Sequence, residues 1–138
     1  MTPGKREALA KVLVIDDEEA VRALARRMLE SGNHTVIEAA DGVAGLKAFE
    51  EEKPDVIVTD IIMPNADGLE VIRQIRRQDP EARIIAISGG GRLLDQTYLK
   101  YARKFGATAV LPKPFTPEQL LSLIDDLSSP LAPEKAAP

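Results

Sequence analysis

The chain of 138 residues has no cysteine, no tryptophan, one histidine and only 4% aromatic residues. Without cysteine there is no disulfide framework, no thiolate metal site and no thiol nucleophile. A multi-histidine metal cluster within the chain is excluded, and any Ser-His-Asp site would rest on His34 alone. No apolar run approaches the ~18 residues of a membrane span. The start of the chain offers only Ala8-Leu9-Ala10 where a secretory signal needs roughly 7–15 apolar residues. The formal net charge of −4 has the wrong sign for a general nucleic-acid binder. Together these absences describe a soluble cytoplasmic domain, expected to contact neither membrane nor nucleic acid.

What the chain does have is alanine, leucine, isoleucine and valine in short, regularly spaced groups. Residues 1–10 and 128–138 lack any period and read as flexible tails, the second rich in Pro and Ala. Residues 11–127 are left as one domain of ordinary size. Five short apolar runs alternate with helical patterns: Val12–Ile15, Thr35–Ile37, Val56–Thr59, Ile84–Ile87 and Ala109–Leu111. Between and after them come Val21, Leu24, Ala25, Met28 and Leu29; Leu46 and Phe49; Leu69, Ile72 and Ile75; Leu94, Tyr98, Ala102 and Phe105; and Leu120, Leu123, Ile124 and Leu127. Asp41 is placed to cap the second helix. Gly32, Pro54, Asp79-Pro80 and Gly106 close the first four. Thr116-Pro117-Glu118-Gln119 is a capping box with proline at the first helical position.

Five β-α units with near-continuous apolar strands imply a parallel sheet covered by helices on both faces. The expected architecture is a flavodoxin-like, doubly wound (βα)5 fold with strand order 2-1-3-4-5. Its switch point lies between strands one and three, and ligands in such sheets bind beyond the carboxyl ends of the strands.

The residues at those ends are polar: Asp16 and Asp17 after strand one, Asp60 after strand three, Ser88 after strand four and Lys113 after strand five. Three converging carboxylates repel one another, and a divalent cation relieves the repulsion. Oxygen ligands without His or Cys suit Mg²⁺, or Mn²⁺. Three aspartates, one lysine and one divalent cation sum to zero charge, so the loaded site can accept a phosphoryl anion. Asp60 stands alone at its strand end and is the best-placed nucleophile, with Asp16 and Asp17 free to hold the metal. Ser88 and the main chain of Gly89–Gly91 can approach a phosphate oxygen.

Val14-Ile15-Asp16-Asp17-Glu18, Asp60-Ile61-Ile62-Met63-Pro64-Asn65-Ala66-Asp67-Gly68, Ile87-Ser88-Gly89 and Lys113-Pro114-Phe115 occur in that order on the expected strand ends. In this the chain resembles the receiver domain of two-component response regulators, over about Lys11 to Leu127. The resemblance implies a phosphoacceptor signalling protein, not an enzyme with turnover. Asp60 would be phosphorylated by a histidine kinase or a histidine phosphotransfer protein. Asp16, Asp17, Asp60 and the backbone carbonyl of Ile62 would hold Mg²⁺. Ser88 would turn toward the phosphoryl group, and Lys113, followed by a cis peptide to Pro114, would pair with it. A downstream partner would dock on the face of helix 4, strand 5 and helix 5. With no output domain attached, the chain is similar to single-domain, monomeric regulators.

Two positions depart from the family's pattern. Val110 stands where an aromatic switch residue is common. Ile62 and Gly90 fill the positions that tune dephosphorylation, and neither can orient water, so slow self-hydrolysis is expected. Other readings compete. A phosphorylation-independent docking module would keep the same fold, and a Mg²⁺-dependent aspartyl phosphatase fits the Asp16-Asp17-Glu18-Glu19 segment poorly. Asp17 can also be read as the first helix's cap, and Asp67 as the third's. His34 falls in a turn and is expected to be exposed. Tyr98 and Phe105 are expected in the core, and Tyr101 on the surface. Arg26-Arg27, Arg73-Arg76-Arg77 and Lys100-Arg103-Lys104 read as solvated helix faces, or as docking surfaces for an acidic partner.

Overall fold

The computed structural model describes residues 9–63, 68–88 and 100–128. Its strands are β1 (Lys11–Ile15), β2 (Thr35–Ala39), β3 (Val56–Asp60), β4 (Ile84–Ser88) and β5 (Ala109–Pro112). The helices are α1 (Glu19–Ser31), α2 (Gly42–Glu52), α3 (Gly68–Gln78), a helical stretch over 100–105 (α4), and α5 (Pro117–Ser128). All four strand pairings are parallel, in the order β2-β1-β3-β4-β5. This is the expected flavodoxin-like architecture.

The strand sequences explain why both faces of the sheet need covering. Side chains alternate across a strand. In β1, Val12 and Val14 join one buried cluster while Leu13 and Ile15 join the other. Val56 and Val58 of β3 divide from Ile57 in the same way, as do Ile85 and Ile87 from Ile84 and Ala86 in β4. The first cluster is closed by Ala25, Met28 and Leu29 of α1 and Leu120, Ile124 and Leu127 of α5. The second is closed by Leu69, Ile72 and Ile75 of α3 and Ala102 of α4, with Leu46 and Phe49 of α2 packed against it.

The helix ends follow their local chemistry. Asp41 accepts a hydrogen bond from Ala44 N–H at 2.8 Å. Thr116 Oγ1 accepts from Gln119 N–H at 3.1 Å, while Gln119 Oε1 accepts from Thr116 N–H at 2.9 Å. One glycine is obligatory for the site: a Cβ on Gly68 would lie 2.2 Å from the Asp60 carbonyl oxygen, so only glycine lets α3 start so close to the end of β3.

Several expectations need correction. His34 is buried, not exposed. Its Nδ1 accepts a 3.0 Å hydrogen bond from Ala10 N–H, which closes the start of β1 against the turn before β2. Ala10, read as tail, is itself buried in the first cluster. Ser128, also read as tail, is the last residue of α5. Phe105 is 37% exposed rather than in the core, whereas Tyr101 is exposed as expected. Arg76 does not belong to a solvated face, because it donates to Gly106 O, Pro80 O and Thr108 Oγ1. β2 runs two residues beyond the apolar run, since Glu38 continues the strand with its carboxylate held by arginines. Leu94, Tyr98, Asp67 and Gly89–Gly91 lie outside the described residues.

Candidate functional site

The carboxyl ends of β1 and β3 are neighbours, with Ile15 opposite Thr59. The residues that follow are therefore delivered to one place. One carboxylate oxygen from each of Asp16, Asp17 and Asp60 lies within 4.8 Å of the others. Asp16 and Asp60 are buried, and Asp17 is exposed at the rim.

Each position is fixed by its own backbone contacts. Asp16 N–H donates to Ala39 O at 3.1 Å, and Asp16 Oδ1 accepts from Glu18 N–H at 2.9 Å. That second bond turns the chain into α1, whose cap is Glu18 without a side-chain hydrogen bond. Asp17 thus does not cap the helix, and its carboxylate is left to the acidic cluster. Asp60 Oδ1 accepts from Ile62 N–H at 3.1 Å, which places the Ile62 main chain against the carboxylate. Ile62 itself is 45% exposed.

Lys113 enters from the far strand. Its Nζ lies 3.2 Å from Asp16 Oδ2, 3.3 Å from Asp60 Oδ2 and 3.5 Å from Glu18 Oε1. Lys113 N–H donates to Ser88 O at 2.9 Å, so β4 helps to seat the lysine. The Lys113–Pro114 peptide is cis, as the resemblance implied. Ser88 is buried at the same edge of the sheet, one residue beyond the Asp60–Ile87 register pair.

Burial pushes the Asp60 carboxyl up to about 6, and nearby Asp16 adds to the rise, while the Ile62 N–H and Lys113 oppose it. For Lys113 burial pulls the other way, but Asp60 and Asp16 outweigh it and hold the ammonium above its ordinary value. At neutral pH Asp60 is therefore mostly ionised beside the Lys113 ammonium. Asp16 Oδ2 is buried and has no well-aligned hydrogen-bond donor among the described residues, with the Lys113 ammonium beside it at 3.2 Å.

The whole arrangement spans the region matched by the family model for the response regulator receiver domain, residues 12–125. The chain belongs to that family. The receiver domain is 37% identical over 110 residues to the alkaline phosphatase synthesis transcriptional regulatory protein PhoP of Bacillus subtilis, covering 80% of this chain and 45% of that protein. It is 37% identical over 127 residues to the response regulator MprA of Mycobacterium tuberculosis, covering 92% and 54%. The chain thus spans about half the length of these curated relatives. Among solved structures it superimposes on a response regulator receiver domain from Clostridium thermocellum with a TM-score of 0.80 at 34% identity, covering 87% of this chain and 94% of that one. The chemotaxis protein CheY4 of Vibrio cholerae gives a TM-score of 0.78 at 30% identity, covering 86% and 98%.

The five expected side chains Asp16, Asp17, Asp60, Ser88 and Lys113 all lie at the carboxyl edge of the sheet. Arg22 and Glu38 also bear on this edge and were not among the residues expected from the sequence. Arg22 Nη1 donates to the Asp16 carbonyl at 2.8 Å. A charged residue in an otherwise apolar edge strand, as Glu38 is, was the available clue.

Proposed function

We propose that this receiver domain takes a phosphoryl group onto Asp60 from a histidine kinase or a histidine phosphotransfer protein, and that this modification switches its binding to a downstream protein. The observation that carries the reading is Lys113 Nζ lying between Asp60 and Asp16 at a buried edge where three aspartates converge. In the transfer, an Asp60 oxygen forms a bond to phosphorus as the P–N bond of the donor phosphohistidine breaks. The electron pair goes to the departing imidazole, which takes a proton from solvent.

The donor set fits a hard divalent cation, Mg²⁺ or Mn²⁺. All ligand candidates are oxygens, and Asp16 Oδ2, which has no hydrogen-bond donor aligned on it among the described residues, lies buried among them. Asp16, Asp17, Asp60 and the Ile62 carbonyl would hold it. The cation supplies charge neutralisation for the incoming phosphoryl oxygens. Lys113 supplies the second positive charge and orients one of those oxygens, and Ser88 can donate its hydroxyl to another. The ionised Asp60 dominates above its pKa of about 6, so the nucleophile is ready at neutral pH.

Ile62 presents an exposed aliphatic side chain beside Asp60. It offers nothing to orient an attacking water, which supports slow loss of the phosphoryl group. A phosphorylated sample that loses its group within seconds would contradict this part. The downstream partner is proposed on the face of α4, β5 and α5, with the chain acting as a cytoplasmic monomer. Among the described residues no helix is long and apolar enough to cross a membrane.

The test is intact mass after incubation with acetyl phosphate, with and without Mg²⁺, beside Asp60→Asn. One phosphoryl group added to the wild type only with Mg²⁺, and none to the variant, is expected. An adduct that persists in Asp60→Asn would place the acceptor elsewhere. No adduct, from acetyl phosphate or from a phosphorylated histidine protein, would leave a docking module that keeps the fold.

A further inference from the structure

Arg22 stands in the first turn and a half of α1, and its guanidinium reaches back over the start of the helix. Nη1 donates to the main-chain carbonyl of Asp16 at 2.8 Å. Nε donates to Glu38 Oε1 at 3.1 Å. Glu38 lies on β2 opposite Val14, next to Ala39, whose carbonyl accepts from Asp16 N–H. Both peptide groups of Asp16 are therefore tied to the end of β2, one directly and one through a cation that β2 anchors. The Arg22 side chain is only 15% exposed, so water competes weakly for these bonds.

The carbonyl in question belongs to the peptide that joins Asp16 to Asp17. That unit is planar, so fixing the direction of its oxygen fixes the plane from which both carboxylates leave. We propose that Arg22, anchored by Glu38, is a positioning residue for the acidic site: its hydrogen bond to the Asp16 carbonyl holds the Asp16–Asp17 peptide where both carboxylates meet a divalent cation together with Asp60. This rests on the function proposed above and adds to it a residue that touches none of the reacting atoms. Arginine suits the task because its rigid fork serves two acceptors at once, which a lysine ammonium on a flexible stem does poorly.

A second arginine provides the comparison. Arg26, one turn further along α1, donates to the other oxygen of the same glutamate, Glu38 Oε2, at 2.6 Å, and to Val36 O at 3.3 Å. It fastens the same helix to the same edge strand through Glu38, but its bonds run to Val36 and Glu30 rather than to Asp16. If Arg22 only stitched α1 to β2, the two arginines would be equivalent.

The experiment is calorimetric titration of the full chain with Mg²⁺, for wild type, Arg22→Gln, Arg22→Lys and Arg26→Gln, with thermal unfolding of each in EDTA. Loss of an outer partner of a metal ligand commonly costs 10–100-fold in affinity, so Arg22→Gln is expected to weaken Mg²⁺ binding about tenfold and Arg22→Lys severalfold. Arg26→Gln is expected to lower the unfolding temperature comparably while leaving Mg²⁺ affinity within about twofold of wild type. An unchanged Mg²⁺ affinity in Arg22→Gln overturns the inference, as does an equal loss in Arg26→Gln. If Arg22→Gln fails to fold, Arg22→Lys decides by the same criteria. Wild-type binding with no Arg22 effect refutes this inference alone. Absence of Mg²⁺ binding by the wild type refutes the proposed function and the role of Arg22 with it.

Discussion

Lys113 Nζ lies 3.2 Å from Asp16 Oδ2, a buried oxygen with no well-aligned hydrogen-bond donor among the described residues. The contact is an ion pair, and the lysine is shared with Asp60 at 3.3 Å. Removing the ammonium would leave two buried carboxylates facing each other. Lys113→Met should therefore lower the free energy of unfolding in EDTA by about 2 kcal/mol. That is less than the ~3–5 kcal/mol for breaking a fully buried pair, because Asp60 can take up a proton. Urea unfolding at pH 7 measures it, and a variant as stable as wild type would show that the carboxylates relax apart at no cost.

Asp60 itself makes the opposite contribution. Its folded carboxyl is raised by burial to about 6 from an ordinary value of 3.8. The fold therefore binds this proton more tightly than the unfolded chain does. The associated stability is fully present below the unfolded value and is lost as pH rises through about 6. Asp60→Asn should accordingly stabilise the metal-free protein at pH 7, by on the order of 2 kcal/mol, with the difference shrinking toward pH 4. Paired urea curves in EDTA at several pH values check both the sign and the window.

His34 gives a slope of the other sign. Burial holds its imidazole below the ordinary 6.5, with Asp125, 3.8 Å from Nε2, partly opposing. Nδ1 accepts from Ala10 N–H, a bond that protonation at that nitrogen would abolish. The unfolded chain then takes up the proton first. The stability that neutral His34 contributes is present above about 6.5 and is lost as pH falls below it. The difference in unfolding free energy between wild type and His34→Gln should narrow on acidification from pH 7.5 to 5.5. A difference independent of pH would mean that the imidazole charges freely within the fold.

The legible parts of this protein were those set by period and by strand ends. The apolar runs located all five strands, and the polar residues that follow four of them, the first, third, fourth and fifth, located Asp16, Asp17, Asp60, Ser88 and Lys113, because a parallel sheet gathers its carboxyl ends on one edge. What escaped depends on contacts far apart in sequence. A Gly-Asn-His turn says nothing of the 24-residue separation across which His34 meets Ala10. Phe105 continues a helical stripe, yet it is 37% exposed, while Ala102, three residues earlier, is fully buried. Arg22 and Arg76 look like any other charge on an amphipathic helix, since the carbonyls they serve belong to other elements.

Arg76 illustrates the last point and can be tested against a neighbour. From α3 it donates through Nε and Nη2 to Gly106 O, at 3.1 and 2.6 Å, and through Nη1 to Pro80 O at 2.7 Å. Nη2 also reaches Thr108 Oγ1 at 3.3 Å, the same hydroxyl that accepts from Ile84 N–H. One guanidinium thus ties the end of α3 to the turn that leads from α4 into β5. Gly106 at that turn has a φ of +125°, and a Cβ there would press on the Arg76 stem at 3.1 Å. Hydrogen bonds to a charged donor contribute about 1.5–3 kcal/mol each when fully desolvated, so Arg76→Ala in this half-buried setting should cost about 2–3 kcal/mol in total. Arg73, about one turn earlier on the same helix, pairs with Glu70 three residues before it, and Arg73→Ala should leave stability nearly unchanged. Urea denaturation of the two variants side by side separates them. Equal, small losses would show that Arg76 is solvated after all and that the α4–β5 turn holds itself.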